Sequence, residues 1–489
     1  MDQKRDMSKY KSPWSVAQRK PVPITSDDPR ITTLQKYTSR IGSEVTVVES
    51  SSNNIISLDP IPEKQYNYWG MSPNINTFSY AKHDGTNINL VTDDTNIFYK
   101  VDNYGNVIGI TSSQIGTPVP TNSFTIDSSA NCYIVYAYNT DTLGMGNLIP
   151  SLIAKYDIDG NLLWTRNIPS AINATIVKTL TDSGQNLYIF ANSLSGNVSY
   201  IIKLTSSGSV SYKKYINTTN TTTFIINDAA IDSTDNIYLI GYTSEGGNKH
   251  RILKINSSGS IVWEKKITGS YYSTYEDNVK IYISPSDDIY VSSTAPSLVN
   301  NNFYQILKVT TSGSLTQGYT FRISNLNNNS QIPLAITFDG SGNIYISGNF
   351  TNIASASMSF IIKHNSSMTK IWERTFYAGS APQSSSQSIH WFNNDLLFCG
   401  NAYISLTKIP DDGTLIGKYN DFWYMNTSYI VSESSWGVPT LTTPSVTAVL
   451  HTLGATMTED LGTFGDIGFI RANSTYNIFQ QPAVFNGIE

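Results

Sequence analysis

The stretch AIDSTDNIYLIGYTSEGGNKHRILKINSSGSIVWEKKITGS, residues 230–270, decides the fold. Short apolar runs (NIYLIG, RILKI, SIVWEKKI) alternate with polar turns (DSTDN, SEGGNK, NSSGS). Runs of five to eight residues rich in Ile, Val, Tyr and Trp, punctuated by Gly, Asn, Asp and Ser, are strands joined by tight turns. With the run ending at Ile231, the unit holds four short strands.

Working outward, the same unit recurs along the chain. Its third strand and following hairpin read FYKVDNYGNVIG, IAKYDIDGNLLW, IIKLTSSGSVSY, ILKINSSGSIVW, ILKVTTSGSLTQ, IIKHNSSMTKIW and LTKIPDDGTLIG. The shared lysines are Lys100, Lys155, Lys203, Lys254, Lys308, Lys363 and Lys408, spaced 45 to 55 residues apart. Five residues after each lysine stands Gly105, Gly160, Gly208, Gly259, Gly313 or Gly413, with Met368 the exception. Nine residues after it, four copies carry Trp164, Tyr212, Trp263 and Trp372. A second recurring strand (NCYIV, NLYIF, NIYLIG, DIYVSS, NIYISG, DLLFCG) centres on Tyr133, Tyr188, Tyr238, Tyr290 and Tyr345, with Leu397 in the last copy. Upstream of it lie runs ending in Asp plus a turn, such as FTIDSSAN, AAIDSTDN and AITFDGSGN.

Four strands per repeat of about 50 residues mark a β-propeller blade. A stacked solenoid is the rival, with shorter rungs and fewer hairpins. The expected fold is therefore all-β: a β-propeller of seven four-stranded blades, with an eighth assembled from flanking segments as the alternative count. The chain divides into an extended N-terminal arm (1–75), the propeller (76–420) and a C-terminal β extension (421–489) that closes the ring or contacts a partner. The turn glycines supply the positive φ of a tight hairpin. The four aromatics are expected to pack against the next blade, and losing such a buried Trp costs roughly 3–5 kcal/mol. Each repeated Lys is expected to lay its stem on the sheet and carry its amine to a blade edge.

Residues 230–270, and AITFDGSGNIYISGN through FIIKHNSSMTKIWERTF, resemble the bacterial β-propeller repeats related to the quinoprotein family. The resemblance covers about 70% of the chain and implies the fold, while propellers host unrelated activities. A quinoprotein enzyme would need an axial calcium, ligating carboxylates and a cofactor-stacking Trp. Here Trp164, Trp263 and Trp372 occupy the repeated structural position instead.

Composition narrows the function. Only 14% of the 489 residues are charged, against about 25% in an average soluble protein, so Asn, Ser, Thr and Tyr carry the polarity. No apolar run reaches the roughly 18 residues of a membrane-spanning helix. The net charge of −5 argues against nucleic-acid binding by the whole surface. Two cysteines, Cys132 and Cys399, exclude a disulfide scaffold and a Cys-rich zinc site. The N-terminus lacks the apolar core of a Sec signal peptide. A surface-type composition without a signal fits a particle assembled in the host cytoplasm and released by lysis. The expectation is a non-enzymatic bacteriophage virion protein of the tail, nozzle, collar or head surface. It would pack with other virion proteins as a homo-oligomer in a symmetric assembly. Propeller-containing tail nozzles of short-tailed phages are similar in general architecture.

The first 40 residues carry nine Lys or Arg and four Asp or Glu, so the arm is basic and the remainder acidic. Pro13, Pro21, Pro23 and Pro29 keep it extended. Tyr10, Trp14, Arg19 and Lys20 are the expected docking residues; a tail without a role is the bland reading.

Catalytic motifs are sparse. Asp157, Asp159 and Gly160, and more faintly Asp411, Asp412 and Gly413, resemble the start of a calcium loop. The twelfth position from Asp157 is Ile168, not a carboxylate, so a turn is the better reading. His83, His250, His364, His390 and His451 are far apart, with no HExxH pair. No GxSxG, P-loop or GxGxxG element is present. No cofactor, metal or catalytic residue is expected, although a glycosidase carboxylate pair could come from any two blades. The alternative function is a glycan- or receptor-binding, adhesin-like propeller. YYSTYED at 271–277 and NLNNNS at 325–330 would offer stacking rings and amides to a host-surface sugar.

Overall fold

The computed structural model describes residues 69–71 and then, between 78 and 459, the strands and most of the tight turns; residues 1–68 and 460–489 and many longer connections lie outside the described residues. All regular elements among the described residues are β-strands. They form separate antiparallel sheets, each built around strands that are consecutive in the chain.

Six blades each come from one continuous stretch: blade 1 (78–112), blade 2 (117–167), blade 3 (174–218), blade 4 (224–268), blade 5 (280–323) and blade 6 (335–377). A further sheet is composite. Ser386–Phe392, Asp395–Gly400 and Leu406–Pro410 form three strands, and Trp69–Met71 pairs antiparallel on the outside, Trp69 opposite Lys408. The first strands of the sheets pack in one circuit, in which Phe78–His83 of blade 1 contacts both Phe124–Ile126 of blade 2 and Ser386–Phe392 of the composite sheet. This is a β-propeller.

The repeat predicts seven equivalent blades; six, not seven, are cut from continuous chain. The last repeat departs because the run after Gly413 leaves its own sheet. Gly417–Tyr419 instead forms a hairpin with Phe422–Asn426, which pairs with the outer strand of blade 6. Trp69–Met71 takes the vacated outer place, from within the segment read as the arm.

The C-terminal extension supplies no closing strand among the described residues. It runs back around the rim as a belt. After Phe422–Asn426 on blade 6, Ile430–Ser432 pairs with blade 5, Thr440–Thr442 with blade 4, Ala448–Thr452 with blade 3 and Thr458–Glu459 with blade 2. These blades therefore exceed the expected four strands. Each belt strand pairs antiparallel with the far half of a blade's own outer strand, so backbone groups that would face solvent are satisfied.

The apolar cores lie between sheets. Tyr188, Phe190 and Ile201 of blade 3 meet Phe224, Leu239 and Leu253 of blade 4. Tyr345, Ile361 and Trp372 of blade 6 meet Ile389, Leu396 and Phe398 of the composite sheet. A central strand such as Ser199–Leu204 is buried at every position, because a neighbouring blade covers each face. The hairpin between third and fourth strands is a turn with a one-residue register shift. At Leu204 the Gly208 amide returns to the Thr205 carbonyl at 2.8 Å with φ of 83°, a geometry that favours glycine. Met368 adopts the same φ region at 61°, its side chain buried in the core between blades 5 and 6.

Candidate functional site

The short turns linking first to second and third to fourth strands lie at one end of every blade, because successive antiparallel strands bring alternate connections to the same side. The repeated polar residues converge there. In blade 3 Asp182 directly follows the first strand, Ala174–Thr181, and its Oδ1 accepts hydrogen bonds from the backbone and side chain of Asn186 at 2.8 and 2.9 Å. Lys203, from the third strand, places Nζ 3.0 Å from Asp182 Oδ2 and 4.7 Å from the Tyr188 ring centre. The same Nζ reaches the Ser257 carbonyl in the next blade's hairpin at 3.4 Å.

The arrangement repeats around the ring. Lys155 pairs with Asp127 and donates to the Ser206 carbonyl. Lys254 pairs with Asp232 and donates to the Thr311 carbonyl. Lys363 pairs with Asp339 and donates to the Asp411 carbonyl. Lys408 pairs with Asp395 and donates to the Asn103 carbonyl of blade 1, linking the composite sheet to the first blade. The amines reach the turn end of the blades, but there they meet a partner rather than open water alone. Lys155, Lys203 and Lys408 are buried, held by a carboxylate, a ring face and a neighbour's carbonyl together.

Burial opposes ionisation of Asp182 and Asp232. The Asn186 hydrogen bonds and Lys203 hold the Asp182 carboxyl below its ordinary value, and donors from Asn236, Thr234 and Tyr238 do the same for Asp232. Burial and the adjacent carboxylates push the hydroxyls of Tyr133, Tyr238 and Tyr345 far up, so these phenols remain neutral donors. At Lys308 burial opposes the charged form, but Asp288 and Tyr290 raise the amine above its usual range.

The four sequence-identified aromatics grip the next blade's hairpin. Trp164 Nε1 donates to the Ser206 carbonyl at 3.1 Å, and a Cβ at Gly208 would stand 3.0 Å from its indole. Trp263 Nε1 donates to the Thr311 carbonyl at 2.9 Å, and Tyr212 lies 3.0 Å from a Cβ placed on Gly259. Trp372 presses to 2.9 Å on the corresponding position of Gly413. These turn glycines, with Gly313 beside Trp263, are thus required by close approach as well as by φ. Gly105 and Gly160 lie outside the described residues, as do Tyr10, Trp14, Arg19, Lys20 and the loops 271–277 and 325–330.

Sequence reasoning passed over a cation two residues beyond each aromatic. Arg166 Nε donates to the Gly208 carbonyl at 2.8 Å, Arg374 Nε to the Gly413 carbonyl at 2.8 Å, and Lys214 Nζ to the Gly259 carbonyl. Its signal was present in WTR, YKK, WEK and WER. It also missed the left-handed residues of the first turns. Asp235 (φ 65°) accepts hydrogen bonds from the backbone and hydroxyl of Ser183 in the preceding blade, and Asp287 (φ 61°) does so from Ser233.

Near the axis this turn face opens into a pocket of about 420 Å³ across blades 2, 3 and 4. Asp127, Ser128, Thr181, Asp182, Ser183, Asp232, Ser233 and Asp235 line it, together with Ile126 and Ile231. It presents hydroxyls and carboxylate oxygens to a polar molecule. Among the described residues, no group of three or more His, Cys, Asp and Glu is placed to hold a metal ion. Asp157 receives Asn161, and Asp411 receives Tyr345 and Trp391, so both serve turns and inter-blade contacts.

No protein-family model matches the chain, and no curated protein matches it. Among solved structures it is similar to the Nup133 β-propeller domain of Vanderwaltozyma polyspora (11% identity, TM-score 0.42, 70% of this chain and 97% of that one). It is also similar to Drosophila Semaphorin 1b extracellular domains 1-2 (11%, 0.41, 70% and 86%) and to the polysaccharide lyase Uly1 (11%, 0.39, 80% and 98%). The propeller assignment rests on the sheet pairing and the circuit of first strands.

Proposed function

We propose that the chain is a non-enzymatic structural protein of a phage virion, a tail, nozzle, collar or head-surface part in which the propeller is an assembly and host-contact platform. The reading counts the composite sheet as a seventh blade and treats the quinoprotein-like repeats as a source of architecture alone. The observation that carries it is the commitment of the repeated polar groups to holding the ring. In blades 2, 4 and 6 the repeated Asp, Tyr and Lys bond one another and the next blade, and the rim is strapped by a belt. This favours a rigid scaffold over a site with groups poised for reaction. Partners would be other virion proteins and further copies in a symmetric assembly, reached through the basic arm with Trp14 as its anchor. The test is incorporation: chain lacking residues 1–40 should stay folded yet fail to sediment with purified particles. Normal copy number in those particles would remove the arm from the proposal, and absence of the full chain from any particle would remove the virion.

A second reading, a glycan- or receptor-binding propeller, is favoured by the axial pocket with its four hydroxyl side chains. An array of host-surface glycans probed with the full chain, and with Ser183→Trp to fill the pocket, tests it. Binding abolished by that substitution is the expected result.

A further inference from the structure

We propose that the axial pocket of blades 2, 3 and 4 selects an amino sugar, with Asp235 holding the sugar's free ammonium group. This rests on the glycan-binding reading of that pocket and narrows its ligand class.

Charge makes the first distinction. Three of the four carboxylates lining the pocket are already paired: Asp127 with Lys155, Asp182 with Lys203 and Asp232 with Lys254. Turn donors occupy their oxygens as well, such as Ser129, Asn131 and Tyr133 on Asp127. Asp235 differs. Its two oxygens each accept one bond from Ser183, from the backbone and the hydroxyl at 2.8 and 2.7 Å. No Lys or Arg among the described residues pairs with it. A carboxylate offers about four acceptor sites, so Asp235 keeps room for a cationic donor.

The Tyr188 hydroxyl points to a ligand independently. It is fully buried and finds no partner in hydrogen-bond geometry. Its counterpart in blade 2, Tyr133, donates to the Gln185 carbonyl in the next blade's first turn at 2.8 Å. Asp235 takes the place of Gln185 one blade further on, each directly before an Asn, at φ of 65° and 61°. The Tyr188 hydroxyl is thus aimed at the Asp235 turn, with the pocket residues Asp182 and Asp235 as its charged neighbours. A buried hydroxyl left unpaired is destabilising, and a ligand oxygen seated beside Asp235 would accept from it.

The lining disfavours other sugars. Among the described residues no aromatic ring lines the pocket, so the stacking that holds a neutral sugar face is missing. An acidic sugar would meet Asp235 as a like charge. An ammonium gains a charge-assisted hydrogen bond there, with Ser128, Ser183 and Ser233 on hand for ring hydroxyls. The volume of about 420 Å³ falls within the roughly 300–1,000 Å³ of small-molecule sites.

Titration calorimetry on the full chain at about pH 6, where a sugar amine is charged, compares glucosamine with glucose, N-acetylglucosamine and glucuronate. Glucosamine should bind at least about tenfold more tightly than the other three. Asp235→Asn keeps an acceptor for Ser183 and suits the left-handed turn, and it should erase that preference. In the unaltered chain, raising ionic strength from about 0.01 to about 0.15 M should weaken glucosamine by about threefold or more. That salt dependence decides the matter should the variant misfold. Equal affinity for glucosamine and glucose, or a preference untouched by Asp235→Asn and by salt, would overturn the proposal and leave the glycan reading in place. Lysine bound as tightly as glucosamine would also overturn it, giving the pocket to protein amines. No binding of any sugar, in solution or on the array, rejects both.

Discussion

The turn face and the outer rim hold the same sheets by different means. At the turn face each blade seizes the next through repeated side chains: Lys203 on Asp182 and the Ser257 carbonyl, Trp164 and Arg166 on the Gly208 hairpin. At the rim one non-repeating segment joins five blades through backbone pairing. The first device is carried by the repeat, with substitutions in some copies, and so multiplies with it. The second is written once, at the chain's end, and depends on rim edges that already exist. Packing supplies the strength of the ring, while the belt satisfies edges that would otherwise recruit other chains.

Breaking the clamp at its largest contact should have the largest effect. Trp372 is buried between blade 6 and the composite sheet, and Trp372→Ala should cost roughly 3–5 kcal/mol in denaturant unfolding. A loss under about 1 kcal/mol would mean that the Gly413 hairpin collapses onto the space. Next, Asp182→Ala strands the buried Lys203 amine and should cost about 3 kcal/mol. Adding Lys203→Met should recover part of that loss, and a purely additive double mutant would show that the two do not act as a pair.

Acid sharpens the comparison, because among the described residues burial in the blades keeps His250 and His364 neutral. Burial and the nearby Lys370 charge lower His364 to about 4 from 6.5. Below pH 6.5 the unfolded chain takes up this proton while the folded chain does not until about pH 4. Stability therefore falls as pH drops through that window, by up to about 1.4 kcal/mol per pH unit. His364→Leu should flatten this slope in pH-dependent unfolding. Asp182 and Asp232, held below their ordinary values, release their contribution only at lower pH. The smallest equilibrium effect belongs to the rim. Val449→Pro, opposite Asn217, should change unfolding free energy by about 1 kcal/mol or less yet increase aggregation in light scattering.

The hairpin with its Lys, Gly and aromatic was legible because its contacts recur at a fixed spacing. The Asp ending the first strand was visible too, in FTID and AAID. Its bond to the repeated Lys was not, since that requires three strands to be laid side by side. Trp69–Met71 gave no signal: three residues pair with a strand more than 330 positions away, and no local periodicity encodes such a partner. The belt failed for the same reason. Ala448–Thr452 reads as a short apolar run, and only the outer strand of blade 3 tells where it goes. The axial pocket joins residues of three blades, each of which reads alone as an ordinary turn.

The composite sheet also sets the order in which the chain can fold. Trp69–Met71 leaves the ribosome early, but its partner Leu406–Pro410 follows roughly 335 residues later. At about 5–20 residues per second this delay is roughly 17 to 67 seconds. Throughout synthesis the growing array is an open arc with a bare leading edge, and the belt is made only after the arc is complete. Closure is therefore a late event of very high contact order, so the nascent chain is most exposed to misassociation just before its last sixth is made.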